Sequence, residues 1–89
     1  MSELLFSPDA DRQLTALDHD ATRGALWERV NDALDAIEAD PAAAAVRRRR
    51  YQSPPVWGTP VHSAGDDWLI LWAETDRGPL VLYVGEDPR

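Results

Sequence analysis

Trp68-Leu69-Ile70-Leu71-Trp72 is apolar at every position. A strand with one face in water alternates apolar and polar residues, so an unbroken apolar run of this length reads as a central strand covered on both faces. Turn chemistry brackets it: Ala64-Gly65-Asp66 comes before and Asp76-Arg77-Gly78 after. Glycine beside aspartate suits tight hairpin turns, where the backbone enters the left-handed region. Strands are therefore predicted at 56–63, 68–74 and 79–85, joined as two successive hairpins. In the last of them Leu80, Leu82 and Val84 alternate with Val81 and Tyr83.

Upstream the apolar period changes from two to 3.6. Leu26, Val30, Ala33, Leu34 and Ile37 fall at i, i+4, i+7, i+8 and i+11, with Arg29, Asp32, Asp35 and Glu38 on the other side. That stripe predicts an amphipathic helix over 21–39. Asp40-Pro41 ends it, because proline disfavours the helical region for the residue before it. An earlier helix is predicted near 8–17. Ser7 serves as its N-cap, Pro8 as its first residue, and Asp9 and Asp11 lie at the positive end of its dipole. Ala10, Leu14 and Leu17 share its apolar face, and Asp18-His19-Asp20 breaks it from the next helix. Leu4-Leu5-Phe6 reads as the core of a short strand at 3–6 that joins the sheet at an edge. The predicted fold is α+β, in the order β-α-α-β-β-β. A helical hairpin packs through its leucine, valine and isoleucine stripe on Leu69, Leu71 or Ile70 and the last strand of a twisted, mainly antiparallel four-stranded sheet.

With 89 residues the chain has room for one domain, residues 1–89, around one core. There is no cysteine, so neither a disulfide framework nor a thiolate metal site can form. Two histidines 43 positions apart make no recognisable zinc motif, and no glycine-rich phosphate loop is present. No metal and no cofactor is expected. The start of the chain has no basic segment followed by a long apolar one, and no apolar run approaches the ~20 residues that span a bilayer. A cytoplasmic protein without membrane association is the expectation.

The net charge of −7 is unevenly distributed. Residues 1–40 carry ten acids against three arginines, residues 52–89 six acids against two, and the stretch between them holds Arg47, Arg48, Arg49 and Arg50 with no acid. An acidic total opposes tight non-specific nucleic-acid binding, which rests on neutralising phosphates. The arginine run reads either as a solvated basic turn or as a site for an anion or a partner. In an extended strand only alternate members would converge on one phosphate. His62, in a predicted strand, is the best single acid–base candidate because imidazole titrates near neutrality. A structural role is the competing reading. Trp57, Trp68 and Trp72 read as core.

Phe6-Ser7-Pro8-Asp9-Ala10, Asp40-Pro41, Val56-Trp57-Gly58, the segment from Gly65 to Trp72, and Leu82-Tyr83-Val84-Gly85 occur in an order that resembles the RelE/ParE superfamily of bacterial type II toxins. The resemblance implies a toxin held inactive by a cognate antitoxin protein. In the RelE branch the activity is metal-independent cleavage of mRNA, often on the ribosome; in the ParE branch it is inhibition of DNA gyrase. The favoured expectation is the RelE-like, metal-independent mRNA endoribonuclease; the alternative is a non-catalytic binding protein of the same fold, either a gyrase-inhibiting ParE-like toxin or an inactive toxin relic. A RelE-type site draws basic residues and a Tyr or His from the concave sheet face. That makes His62, Arg77 and Tyr83 the catalytic candidates, and Arg47, Arg48, Arg49, Arg50 and Tyr51 the candidates for holding RNA phosphate. Two positions depart from the family pattern. Leu69 stands where many members carry an arginine, and the final strand runs into Gly85-Glu86-Asp87 rather than a basic tail.

Overall fold

A computed structural model of the chain describes residues 4–43, 56–63 and 65–87, together with the backbone of 49–51. The elements follow the expected order: β1 (Leu5–Phe6), α1 (Pro8–Asp18), a 3-10 turn (Ala21–Arg23), α2 (Gly24–Ala39), β2 (Arg49–Tyr51), β3 (Val56–Ser63), β4 (Asp66–Thr75) and β5 (Gly78–Glu86). Ser7 caps α1 as its chemistry requires: its backbone is extended and its Oγ accepts the Ala10 N–H at 3.1 Å. The helix predicted over 21–39 is in detail a 3-10 turn, capped by the Asp20 side chain, that runs directly into α2. Asp40, before Pro41, has φ −154° and ψ 85°, outside the helical region.

Five strands form one sheet in the order β1-β5-β4-β3-β2. β1 lies parallel to β5 at one edge, and every other pair is antiparallel. β4, which carries the apolar run Trp68–Trp72, is the middle strand. The helices-on-sheet arrangement is as expected, and the sheet carries one further short strand, β2, in the stretch before the two prolines. A two-residue strand can pair in parallel here because α1, α2 and the hairpins intervene, giving the long connection that parallel pairing needs. Gly65, at φ 91°, makes the tight turn between β3 and β4. In that half of φ space a side chain would cost about 1–2 kcal/mol.

The helices cover one face only. Ala10, Leu14 and Leu17 of α1 and Leu26, Val30, Leu34 and Ile37 of α2 pack with Val61, Trp68, Ile70, Trp72, Val81 and Val84 in a single core. Of the three contacts expected on β4, Ile70 is the one made, since Leu69 and Leu71 fall on the opposite, helix-free face. Leu69 is nonetheless buried, at 1% exposure, so the middle strand is covered on that side too. Trp72 lies at the centre, its Nε1 donating to the buried Thr59 Oγ1 at 2.9 Å.

β5 departs from simple alternation. Leu71 pairs with Tyr83 and Trp72 with Val81, which leaves Leu82 as an extra residue in a β-bulge. The bulge turns Val81 and Val84, three residues apart, to the same core face. The outer edge of β5 beyond β1 is occupied by α1. Ser7 donates its N–H to the Val81 carbonyl at 2.9 Å and its hydroxyl to the Leu82 carbonyl at 3.2 Å, and the Gln13 Oε1 accepts the Val84 N–H at 2.7 Å. Unpaired strand-edge groups thereby find partners.

No helix among the described residues is long and apolar enough to cross a membrane. Phe6, at 40%, is the one large hydrophobic side chain among them that stays exposed. Ile37 is fully buried beneath the sheet. Ile37→Ala should lower unfolding free energy by about 2–5 kcal/mol in urea titrations. A loss below about 0.5 kcal/mol, the size of an ordinary surface change, would show that α2 does not pack this way.

Candidate functional site

The Gly65 turn fixes the register of β3 against β4 and sets His62 opposite Asp67. Both lie on the helix-free face, where His62 Nδ1 and Asp67 Oδ1 are 2.8 Å apart and both side chains are well exposed. With the proton on Nδ1 the ring donates to the carboxylate and presents Nε2 outward, the orientation a general base uses. A groove of about 410 Å³ runs past this pair, lined by His62, Ser63, Gly65, Asp66 and Asp67 of the hairpin and by Ala25 and Arg29 of α2. Arg29 brings a cation to the same groove, but Asp66 and Asp67 bring two carboxylates. The groove is thus no concentrated positive site for a phosphate.

The three catalytic candidates are not assembled. Arg77 sits in the β4–β5 turn, just past Thr75, where its own N–H donates to Thr75 Oγ1 at 3.2 Å. His62 pairs near the other end of β4, at Asp67, so about 26 Å of strand lies between them at ~3.3 Å per residue. Tyr83 pairs with Leu71, one strand beyond β4 from His62, and is about 10 Å away across the sheet and further along it. Its ring lies over Gly85, where a Cβ would come within 2.5 Å of the Tyr83 hydroxyl, and that hydroxyl donates to the Glu86 carbonyl at 3.0 Å. Tyr83 is therefore engaged at the end of its own strand. Between these positions, on the helix-free face, is the buried Leu69, paired with Pro60 on one side and Gly85 on the other.

Of the phosphate-holding candidates, Arg47 and Arg48 lie outside the described residues. Arg49, Arg50 and Tyr51 form β2 at the sheet edge farthest from β1. The register sets Arg49 opposite Gly58 and Tyr51 opposite Val56, while Arg50 stands opposite Trp57 at a position of the helix face. Among the described residues no three His, Asp or Glu side chains are grouped to hold a metal ion.

A second cleft, on the helix side, was not foreseen from the sequence. It measures about 240 Å³ and is lined by Gln13, Ala16, Leu17, Asp20, Arg23, Trp68 and Val84. Arg23 stacks over Trp68, its guanidinium carbon 5.6 Å from the ring centroid, and its Nε is 3.5 Å from Asp20 Oδ2. The readable signal was Asp20-Ala21-Thr22, a capping pattern in which a carboxylate receives the N–H two residues on. Thr22 donates both its hydroxyl, at 2.6 Å, and its N–H, at 3.0 Å, to Asp20 Oδ1. The hydroxyl bond first and the backbone bond second, with Arg23 adding to them, hold the Asp20 carboxyl below its ordinary value although burial opposes the shift.

A lowered folded pKa means that this cap contributes stability above the ordinary aspartate value of about 3.9, and that the contribution is lost as pH falls through the lowered value. Thr22→Ala removes the leading cause, so the Asp20 carboxyl-carbon titration should move up toward the ordinary value. An unchanged titration would contradict the assignment. No protein-family model, no curated protein and no solved structure matches the chain, so the functional reading rests on its own residues.

Proposed function

We propose that the chain is the toxin partner of a RelE/ParE-type toxin–antitoxin pair, and that it acts by binding its target rather than by cutting RNA. The element order β-α-α-β-β-β-β, which adds the short β2 to the expected order, and the first strand at the sheet edge beside the last support the family reading that the sequence motifs raised. The observation that favours binding over cleavage is the separation of His62 and Arg77 by most of the length of β4, with the buried Leu69 on the face between them. Phosphodiester cleavage needs a base, a cation at the developing charge and an acid within hydrogen-bond reach of one phosphate. Groups about 26 Å apart cannot serve one phosphate.

A metal-independent endoribonuclease is the second reading, and one observation favours it. The His62–Asp67 pair and Arg29 share a groove, which gives a general base and a cation on neighbouring elements. In that arrangement Arg29 would replace Arg77 as the charge-stabilising group and Tyr83 would have no part.

Induced expression in a bacterial host should slow growth, and co-expression of the adjacent reading frame should restore it. The arrest should persist when His62, Arg77 and Tyr83 are all replaced by Ala. No arrest at all would end the toxin reading; arrest abolished by His62→Ala alone would favour the nuclease.

A further inference from the structure

The 410 Å³ groove at the β3–β4 hairpin is lined by four charged or titratable side chains, and two of them are committed to each other. His62 Nδ1 and Asp67 Oδ1 form the 2.8 Å pair. Arg29 and Asp66 differ from them. Arg29 lines the groove from α2 and Asp66 from the hairpin, and neither side chain forms an ion pair or hydrogen bond among the described residues. Arg12 and Arg23, by contrast, each pair with an aspartate three residues before them. Arg29 has Asp32 within the same helical turn and does not pair with it.

The fold holds these two charges on facing walls. Asp66 is opposite Ser63 in the register, two residues before Trp68 and so at a position of the helix-covered face. Arg29 follows Ala25 by one turn of α2, and the small Ala25 side chain is all that α2 adds to the wall beside it. Among the described residues the groove therefore carries one unpaired cation and one unpaired carboxylate, set too far apart to neutralise each other.

We infer that this groove binds a free α-amino acid as its zwitterion, with the carboxylate on Arg29 and the ammonium on Asp66. Charge does the selecting. A plain anion that reached Arg29 would stand beside two aspartates, and a plain cation that reached Asp66 would stand beside Arg29. A ligand with both signs satisfies each wall. The planar guanidinium fork suits a carboxylate, and an ammonium offers three donors to the aspartate. The volume is within the range of small-molecule sites, which begins at about 300 Å³. His62 and Ser63 make the rest of the wall polar, so the amino acid has a polar side chain. The His62–Asp67 pair stays in place, and the assignment is independent of the toxin reading.

The test titrates L-serine into the whole ¹⁵N-labelled chain and follows the backbone amides of Gly65, Asp66 and Arg29. These should shift saturably, with millimolar affinity. L-serinamide, which lacks the carboxylate, and N-acetyl-L-serine, which lacks the ammonium, should each bind about threefold more weakly, the size of one exposed ion pair. The variants then locate each end of the ligand. In Arg29→Gln, serine and serinamide should bind equally; in Asp66→Asn, serine and N-acetylserine should. Both changes are polar and outside the core, so the fold is kept. Amides that do not shift through tens of millimolar serine would overturn the assignment. So would equal binding of all three ligands to the native chain, or discrimination that persists unchanged in both variants.

Discussion

Val81 and Val84 both face the core, and a regular strand could not place them so, because residues three apart point to opposite faces. The extra residue at Leu82 resolves the conflict and lets one short strand serve both helices. The backbone groups along that edge are satisfied by α1 itself, through Ser7 and Gln13. Ser7 thus caps α1 and binds β5 with the same hydroxyl, accepting from Ala10 and donating to Leu82. Helix start, sheet edge and core face are fixed by one cluster of hydrogen bonds, and the position of the helical hairpin over β4 follows from it.

The face opposite the helices is short of chemistry, and its central residue, Leu69, is already buried. Its centre is Leu69 between Pro60 and Gly85, its one histidine is paired with a carboxylate at one end, and Arg77 is at the other. The length of β4 keeps these groups apart, and side-chain rotation does not bridge such a distance. The arginine-bearing strand β2 lies at the sheet edge farthest from β1. Groups so divided do not converge to stabilise a phosphorane-like transition state.

What the sequence disclosed were features carried by local rules. The 3.6-residue stripe from Leu26 to Ile37, the Ser7-Pro8 cap and the glycine-aspartate turns are each set by a few neighbouring residues, and all lie where those rules place them. The bulge at Leu82 was not legible, since strict alternation of Leu80, Leu82 and Val84 is what an unbulged strand would also show. The pairing of His62 with Asp67 was within reach, because the turn at Gly65 fixes the register, yet the family resemblance pointed to Arg77 and Tyr83 as the companions of His62. The cleft beside Trp68 escaped notice because its members, Gln13, Arg23 and Trp68, come together only once α1 crosses β5.

The most direct measurement incubates the purified chain with mRNA, alone and on translating ribosomes, in EDTA, and maps RNA ends. A binding protein with a divided face leaves the RNA intact at protein concentrations that saturate its target. Fragments ending in 2′,3′-cyclic phosphate that appear with the native chain and vanish with His62→Ala would contradict the account, by showing that the groups on this face do act together.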